Sequence, residues 1–126
     1  MAIEKKPHIL IIDDEEIIRD LVVDILEESR YEVSDFSSGE EALKYFRLNS
    51  EEIDLVLLDI IMPEMGGSEV FAKLREIDPD VKVILLSGYS RNVEIETLLT
   101  WKNTEFFQKP ISVKGLLDMV KEQLYS

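Results

Sequence analysis

Five strand-like segments alternate strictly with five helical patterns, and this alternation constrains the fold more than any other feature of the chain. His8–Ile12 is a short apolar run that stops abruptly at Asp13-Asp14. Residues 15–30 then carry Ile17, Ile18, Leu21, Val22, Ile25 and Leu26, the spacing of one helical face. Residues 31–36 alternate and are rich in strand formers, and Ser37-Ser38-Gly39 leads into a helix with Ala42, Leu43 and Phe46 inward. Residues 55–58 form a second continuous apolar run, closed by Asp59. Pro63 and Gly66-Gly67 mark a loop, followed by a helix over residues 68–77 that turns Val70, Phe71 and Leu74 inward and ends before Pro79. Residues 81–86 are a buried strand running into Ser87-Gly88, and residues 91–101 give a weaker helical pattern through Val93, Ile95, Leu98 and Leu99. A short strand over residues 105–108 meets Lys109-Pro110, and Ser112 can cap a last helix lined by Leu116, Leu117, Val120 and Leu124.

Strands that read as nearly continuous apolar runs are covered on both faces, as in a parallel sheet with helices packed on each side. The expected fold is α/β, a doubly wound five-stranded parallel sheet with five helices, forming a single domain over residues 1–126. The length suits one core, and 45% hydrophobic with 33% charged residues is an ordinary globular balance. No apolar run approaches the roughly 20 residues that span a bilayer, and residues 1–7 hold no apolar core for a signal peptide. The absence of cysteine excludes disulfides and thiolate metal sites and is compatible with a cytoplasmic location. With 14 basic against 27 acidic residues, a formal charge of −13, the chain is expected to repel nucleic acid and anionic membrane.

In open α/β sheets, sites form in the crevice beyond the carboxyl ends of the strands. The residues that follow the apolar runs are Asp13 and Asp14, then Asp59, then Ser87, then Lys109. Singly, each has an ordinary explanation: Asp14 as a helix cap, Ser87 as a turn residue, Lys109 as a solvated charge. Together they conflict, because three carboxylates in one crevice repel and raise each other's pKa. A divalent cation resolves that conflict, and an all-oxygen set of two or three carboxylates suits Mg²⁺.

The sequence resembles the receiver domains of two-component response regulators, the family that includes the single-domain chemotaxis regulator. The likeness is carried by Ile11-Ile12-Asp13-Asp14-Glu15, by the stretch from Leu57 through Asp59, Met62-Pro63 and Met65 to Gly67, by Leu85-Leu86-Ser87-Gly88, and by Phe106-Phe107-Gln108-Lys109-Pro110-Ile111. It implies a flavodoxin-like sheet of strand order 2-1-3-4-5. It implies a signalling switch rather than an enzyme, catalysing only its own phosphorylation and dephosphorylation in a phosphorelay. Asp59 would accept a phosphoryl group from the phosphohistidine of a histidine kinase or phosphotransfer protein. Asp14 and Asp59 would bind Mg²⁺ with the Ile61 carbonyl, and Asp13 would act through a bound water. Ser87 and Lys109 would hold phosphoryl oxygens, with Ile60 and Gly88 at the phosphoryl contact. Phe106 and Pro110 would belong to the switch, the Lys109-Pro110 peptide being cis. Residues 91–124 would form the output face toward a downstream target or output domain, with a phosphorylation-dependent homodimer left open.

Two departures from the family pattern stand out. Trp101-Lys102-Asn103 replaces the small residues usual before the fifth strand, so Trp101 must pack differently or lie exposed, while Asn103 suits a left-handed turn. Ile61 and Tyr89, two residues beyond Asp59 and Ser87, are bulky and offer no acid or carboxamide to an attacking water, which predicts slow self-dephosphorylation. An aspartyl-nucleophile phosphatase of the haloacid dehalogenase type would need a second acid where Ile61 stands. A flavin or nucleotide module would need a phosphate-cradling first loop, but Asp13-Asp14-Glu15 repels one. A scaffolding pseudo-receiver is disfavoured because every required residue is present. Lone His8 is expected at the far end of the sheet in a structural role. The chain is expected to be either a free-standing regulator or a receiver from a longer regulator or hybrid kinase.

Overall fold

The computed structural model describes residues 5–125; Met1 to Glu4, part of the segment read as holding no signal-peptide core, and Ser126 lie outside the described residues. Strands β1 (His8–Ile12), β2 (Glu32–Phe36), β3 (Leu55–Asp59), β4 (Lys82–Ser87) and β5 (Thr104–Gln108) form one sheet in the order β2-β1-β3-β4-β5, every pair parallel. Helices α1 (Glu16–Glu28), α2 (Gly39–Asn49), α3 (Gly67–Ile77), α4 (Val93–Leu98) and α5 (Val113–Tyr125) follow the strands in turn, with a 3-10 turn at Ser50–Glu52. The alternation read from the sequence is the alternation observed.

Successive side chains of a strand point to opposite faces, and here each face is a core. Leu10, Ile12, Val56, Leu58, Val83 and Leu85 meet α2, α3 and α4 through Phe46, Val70, Leu74 and Ile95. Ile9, Ile11, Leu55, Leu57, Ile84 and Leu86 meet α1 and α5 through Val22, Leu26, Leu116 and Val120. Full burial of each such side chain contributes about 1.5–3 kcal/mol, so the central strands are fixed and what lies beyond their ends is held with them.

Helix boundaries follow local chemistry. Ser38 Oγ accepts from the Glu41 N–H at 3.2 Å, Asn92 Oδ1 from the Ile95 N–H at 2.9 Å, and Ser112 Oγ from the Gly115 N–H at 3.1 Å. Arg30, at φ 70°, ends α1 in the left-handed region, with Tyr31 N–H donating back to Leu26 O at 3.1 Å. That turn delays β2 by one residue from the expected Tyr31.

Several expectations need correction. Ile17 and Leu21 lie at solvent, Ile17 83% exposed, because they form the outer row of a stripe wider than the sheet can cover; Val22, Ile25 and Leu26 are buried. Helix α4 spans six residues rather than the expected 91–101, starting after the Asn92 cap, and Val93 is 84% exposed. Gly67 belongs to α3 rather than to a loop. Neither glycine of the pair has a positive φ. Gly67 is needed for close approach: a Cβ there would stand 2.7 Å from the Asp59 carbonyl oxygen.

Asn103 adopts φ 57°, the left-handed turn its type suits. Trp101 is half-exposed and meets Phe71 edge-on, with ring centroids 6.3 Å apart. Beside both rings lies buried Arg75, which the sequence does not single out. Its guanidinium is 5.0 Å from the Phe71 centroid and donates to the carbonyls of Pro79, Val81, Lys102 and Asn103 and to Thr104 Oγ1. The α4–β5 turn is thereby tied to the end of α3. His8 is buried, its Nε2 2.7 Å from Ser34 Oγ, at the opposite end of β1 from Asp13, a structural placement.

Candidate functional site

Strand register delivers the site. Ile12 stands beside Leu58, Asp59 beside Leu86, and Ser87 beside Gln108, so the next residues of β1, β3, β4 and β5 share one sheet edge. Backbone bonds carry the pairing past the strand ends: Asp13 N–H donates to Phe36 O at 3.1 Å, Ile60 N–H to Leu86 O at 3.0 Å and Lys109 N–H to Ser87 O at 2.7 Å. The loops therefore leave the sheet with their first residues already fixed.

Asp13, Asp59 and Ser87 are each at most 2% exposed. Carboxylate oxygens of Asp13, Asp14 and Asp59 lie within 4.8 Å of one another. Lys109 Nζ donates to Asp13 Oδ2 at 3.1 Å and Glu15 Oε1 at 2.9 Å, and stands 3.7 Å from Asp59 Oδ2. Asp13 Oδ1 accepts from the Glu15 N–H at 2.9 Å, and Asp59 Oδ1 from the Ile61 N–H at 3.2 Å. Asp14 Oδ1 and Asp59 Oδ2 are buried with no hydrogen-bond partner.

The electrostatics follow from that crowding. Burial, then the charge of Asp13, push the Asp59 carboxyl up to about 8, against the smaller opposing pull of Lys109 and the Ile61 N–H. Burial works to lower the Lys109 pKa, but the hydrogen bond to Glu15 and the charges of Asp13 and Asp59 outweigh it, and the ammonium is held above its ordinary value. Two buried carboxylate oxygens without partners, beside a third carboxylate, are the donor set a hard divalent cation takes. These residues fit Mg²⁺.

The remaining expected residues surround this core. Ser87 Oγ accepts from the Tyr89 N–H at 3.1 Å, and among the described residues no acceptor takes its own proton. A Cβ at Gly88 would meet nothing within 4 Å. Ile60 is buried, whereas Ile61 and Tyr89 project into solvent. Phe106, part-buried on β5, packs against the same cluster as Ile95 and Leu98. The Lys109-Pro110 peptide is cis. The structure thus gathers Asp13, Asp14, Asp59 and Lys109 directly and sets Ser87 at the adjoining strand end. The sequence places Glu15 in an acidic run at the start of the first helical segment; that it reaches Lys109 depends on the turn between β1 and α1.

Fold and site together define a doubly wound α/β protein with an acidic, cation-ready crevice at its switch edge, facing a part-buried lysine. The family model for the response regulator receiver domain matches residues 9–121, and the chain belongs to that family, whose function is phosphoryl transfer to an aspartate in two-component systems. It is 32% identical over 117 residues to the response regulator receiver protein CpdR of Brucella abortus (strain 2308), covering 93% of this chain and 96% of CpdR. It is 36% identical over 116 residues to the sensor kinase CckA of the same organism, covering 92% of this chain but 12% of that kinase. Among solved structures it is similar to the response regulator TrrA of Thermotoga maritima in complex with Mg²⁺-BeF, with TM-score 0.80, 38% identity and coverage of 94% and 99% of the two chains.

Proposed function

We propose that residues 1–126 form a single receiver domain in which Asp59 is the phospho-acceptor. The observation that carries this reading is Asp59 Oδ2 itself: buried, without a hydrogen-bond partner, and 3.7 Å from Lys109 Nζ. In the reaction, a carboxylate oxygen of Asp59 attacks the phosphorus of a phosphohistidine. The O–P bond forms, the P–N bond breaks, and the departing imidazole nitrogen takes up a proton. Such transfer is loose and anionic, so positioning and positive charge supply most of the catalysis. Lys109 contributes a fixed ammonium, and Ser87 a hydroxyl proton for a phosphoryl oxygen.

Asp14 and Asp59, with the carbonyl of Ile61, would hold Mg²⁺, and Asp13 would lie in its outer sphere. The ion's chemistry there is to neutralise negative charge gathering on the transferring group. Ile60 and Gly88 line the phosphoryl position, where the bare Gly88 backbone admits close approach. Phe106 and Pro110 belong to the responding element. Once phosphoryl oxygens draw in the Ser87 hydroxyl, Phe106 repacks behind it and biases the face formed by α4, β5 and α5. The domain is a switch acting on its own aspartate. Its donor would be a histidine kinase or phosphotransfer protein, and its target a protein or attached domain; a homodimer of the phosphorylated form and a cytoplasmic setting are part of the same reading. Among the described residues no helix is long and apolar enough to cross a membrane.

Incubation with acetyl phosphate tests the assignment. With Mg²⁺, intact mass should rise by one phosphoryl group, and with chelator it should not. Sustained hydrolysis of a generic phosphate monoester would instead favour an aspartyl phosphatase, and no gain in either condition would remove the assignment.

A further inference from the structure

Glu15 supplies the shortest contact Lys109 Nζ makes to a carboxylate, 2.9 Å against 3.1 Å to Asp13 and 3.7 Å to Asp59. The partners differ in freedom. The Asp13 and Asp59 side chains are at most 3% exposed, whereas that of Glu15 is 57% exposed at the rim of the crevice. Glu15 has no structural task that explains the contact: it stands at the N-cap position of α1 without a side-chain cap bond, and its backbone N–H, not its carboxylate, reaches Asp13.

We propose that Glu15 is a positioning residue that holds the Lys109 ammonium at the rim until phosphoryl oxygens compete it away. The proposal deepens the receiver reading above and rests on it. Lys109 Nζ has three protons to give, and in the resting arrangement two are spent on Asp13 and Glu15. A cation held by Asp14 and Asp59 would reduce the pull of Asp59 on Lys109 and leave Asp13 and Glu15 as its partners. A phosphoryl group on Asp59 brings new oxygens to the deep side, and Nζ, which stands 3.7 Å from Asp59 Oδ2 at rest, must move inward to reach them and so draws away from Glu15 at the rim. Because Glu15 is solvent-facing, it can release into water with little penalty, so the contact is a light brake rather than a lock. Every phosphorylation event carries the cost of that exchange, and the strength of the rim contact sets the balance between resting and charged states.

Beryllofluoride, a stable stand-in for the phosphoryl group, gives the test. Its binding at saturating Mg²⁺ is measured by calorimetry for wild type, Glu15→Gln and Glu16→Gln, the last removing an equal charge from the next residue. Glu15→Gln should bind about two- to five-fold more tightly, in line with an exposed ion pair, and Glu16→Gln should change binding by less than half as much. Before any ligand is added, the side-chain nitrogen resonance of Lys109 should move in Glu15→Gln and stay in Glu16→Gln. Unchanged or weaker binding by Glu15→Gln overturns the proposal, as does an equal gain in Glu16→Gln or a Lys109 resonance indifferent to Glu15. Failure of the wild type itself to bind beryllofluoride strikes the receiver reading instead, so the two failures are distinguishable.

Discussion

Lys109 Nζ stops 3.7 Å from Asp59 Oδ2, near enough to attract it and too far to hydrogen-bond it. The buried oxygen is left unpaired beside the Asp13 charge, and burial and that charge together push the Asp59 carboxyl from 3.8 to about 8. Between those two values the folded chain holds a proton that the unfolded chain has lost.

Stability without divalent cations is therefore expected to fall as pH rises from about 4 to about 8 and to level above that. Asp59→Asn abolishes this titration, so its advantage in Tm over wild type should be smallest near pH 4 and widen across the window. Mg²⁺ should narrow the gap by binding only the wild-type carboxylate well, and its affinity should weaken on acidification below pH 8 as it competes with the proton. Thermal melts of both proteins with chelator and with Mg²⁺ check this; a gap that is flat with pH contradicts it.

Ile61 and Tyr89 stand exposed beside the crevice, and neither can orient or deprotonate a water. Slow loss of phosphate is expected. The variant Ile61→Asn, Tyr89→Glu should lose it about ten-fold faster, a modest part of what a positioned proton acceptor contributes. A time course of phosphate release checks the rate, and equal rates would dismiss both side chains as determinants.

Arg75 ties α3 to the α4–β5 turn through the carbonyls of Pro79, Val81, Lys102 and Asn103, the last two of which also accept from Thr104 Oγ1 and the Val83 N–H. Arg75→Met keeps bulk but removes the guanidinium donor from all of these acceptors, and should cost about 2–4 kcal/mol. Trp101 should lose its guanidinium neighbour and become wetter, so its emission should shift to the red. Chemical denaturation followed by Trp101 fluorescence measures both, and an unshifted spectrum with wild-type stability would contradict the role.

Gly67→Ala should destabilise by about 1–3 kcal/mol, since its Cβ would press on the backbone of Asp59 and Ile60. Gly66→Ala meets nothing within 4 Å and serves as the control. Denaturant midpoints compare them; equal midpoints would show that α3 can move away freely.

Much of this was legible in the sequence because the central strands leave little choice. Residues 9–12 and 55–58 are apolar without interruption, both faces must be covered, and only a parallel sheet between helix layers does that. Topology then fixes where Asp13, Asp59, Ser87 and Lys109 meet, so the site followed from the strand ends. What escaped depended on distances between segments far apart in sequence. The Arg75 clamp joins residue 75 to residues 102–104, and periodicity assigns an arginine to the surface by default. The link from Glu15 to Lys109 crosses 94 positions of sequence. The apolar residues Ile17, Leu21 and Val93 misled in the other direction, since a helical stripe tells which residues lie near one another and not how much of the stripe the sheet covers.

The account rests on Asp59 as the acceptor. Borohydride reduces an aspartyl phosphate to homoserine, so treatment after acetyl phosphate and Mg²⁺ writes the phosphorylated position into the sequence. Peptide mass mapping should find homoserine at position 59 and nowhere else, and none in Asp59→Asn. Homoserine at position 13 or 14, or a phosphoryl group that persists in Asp59→Asn, would contradict the account.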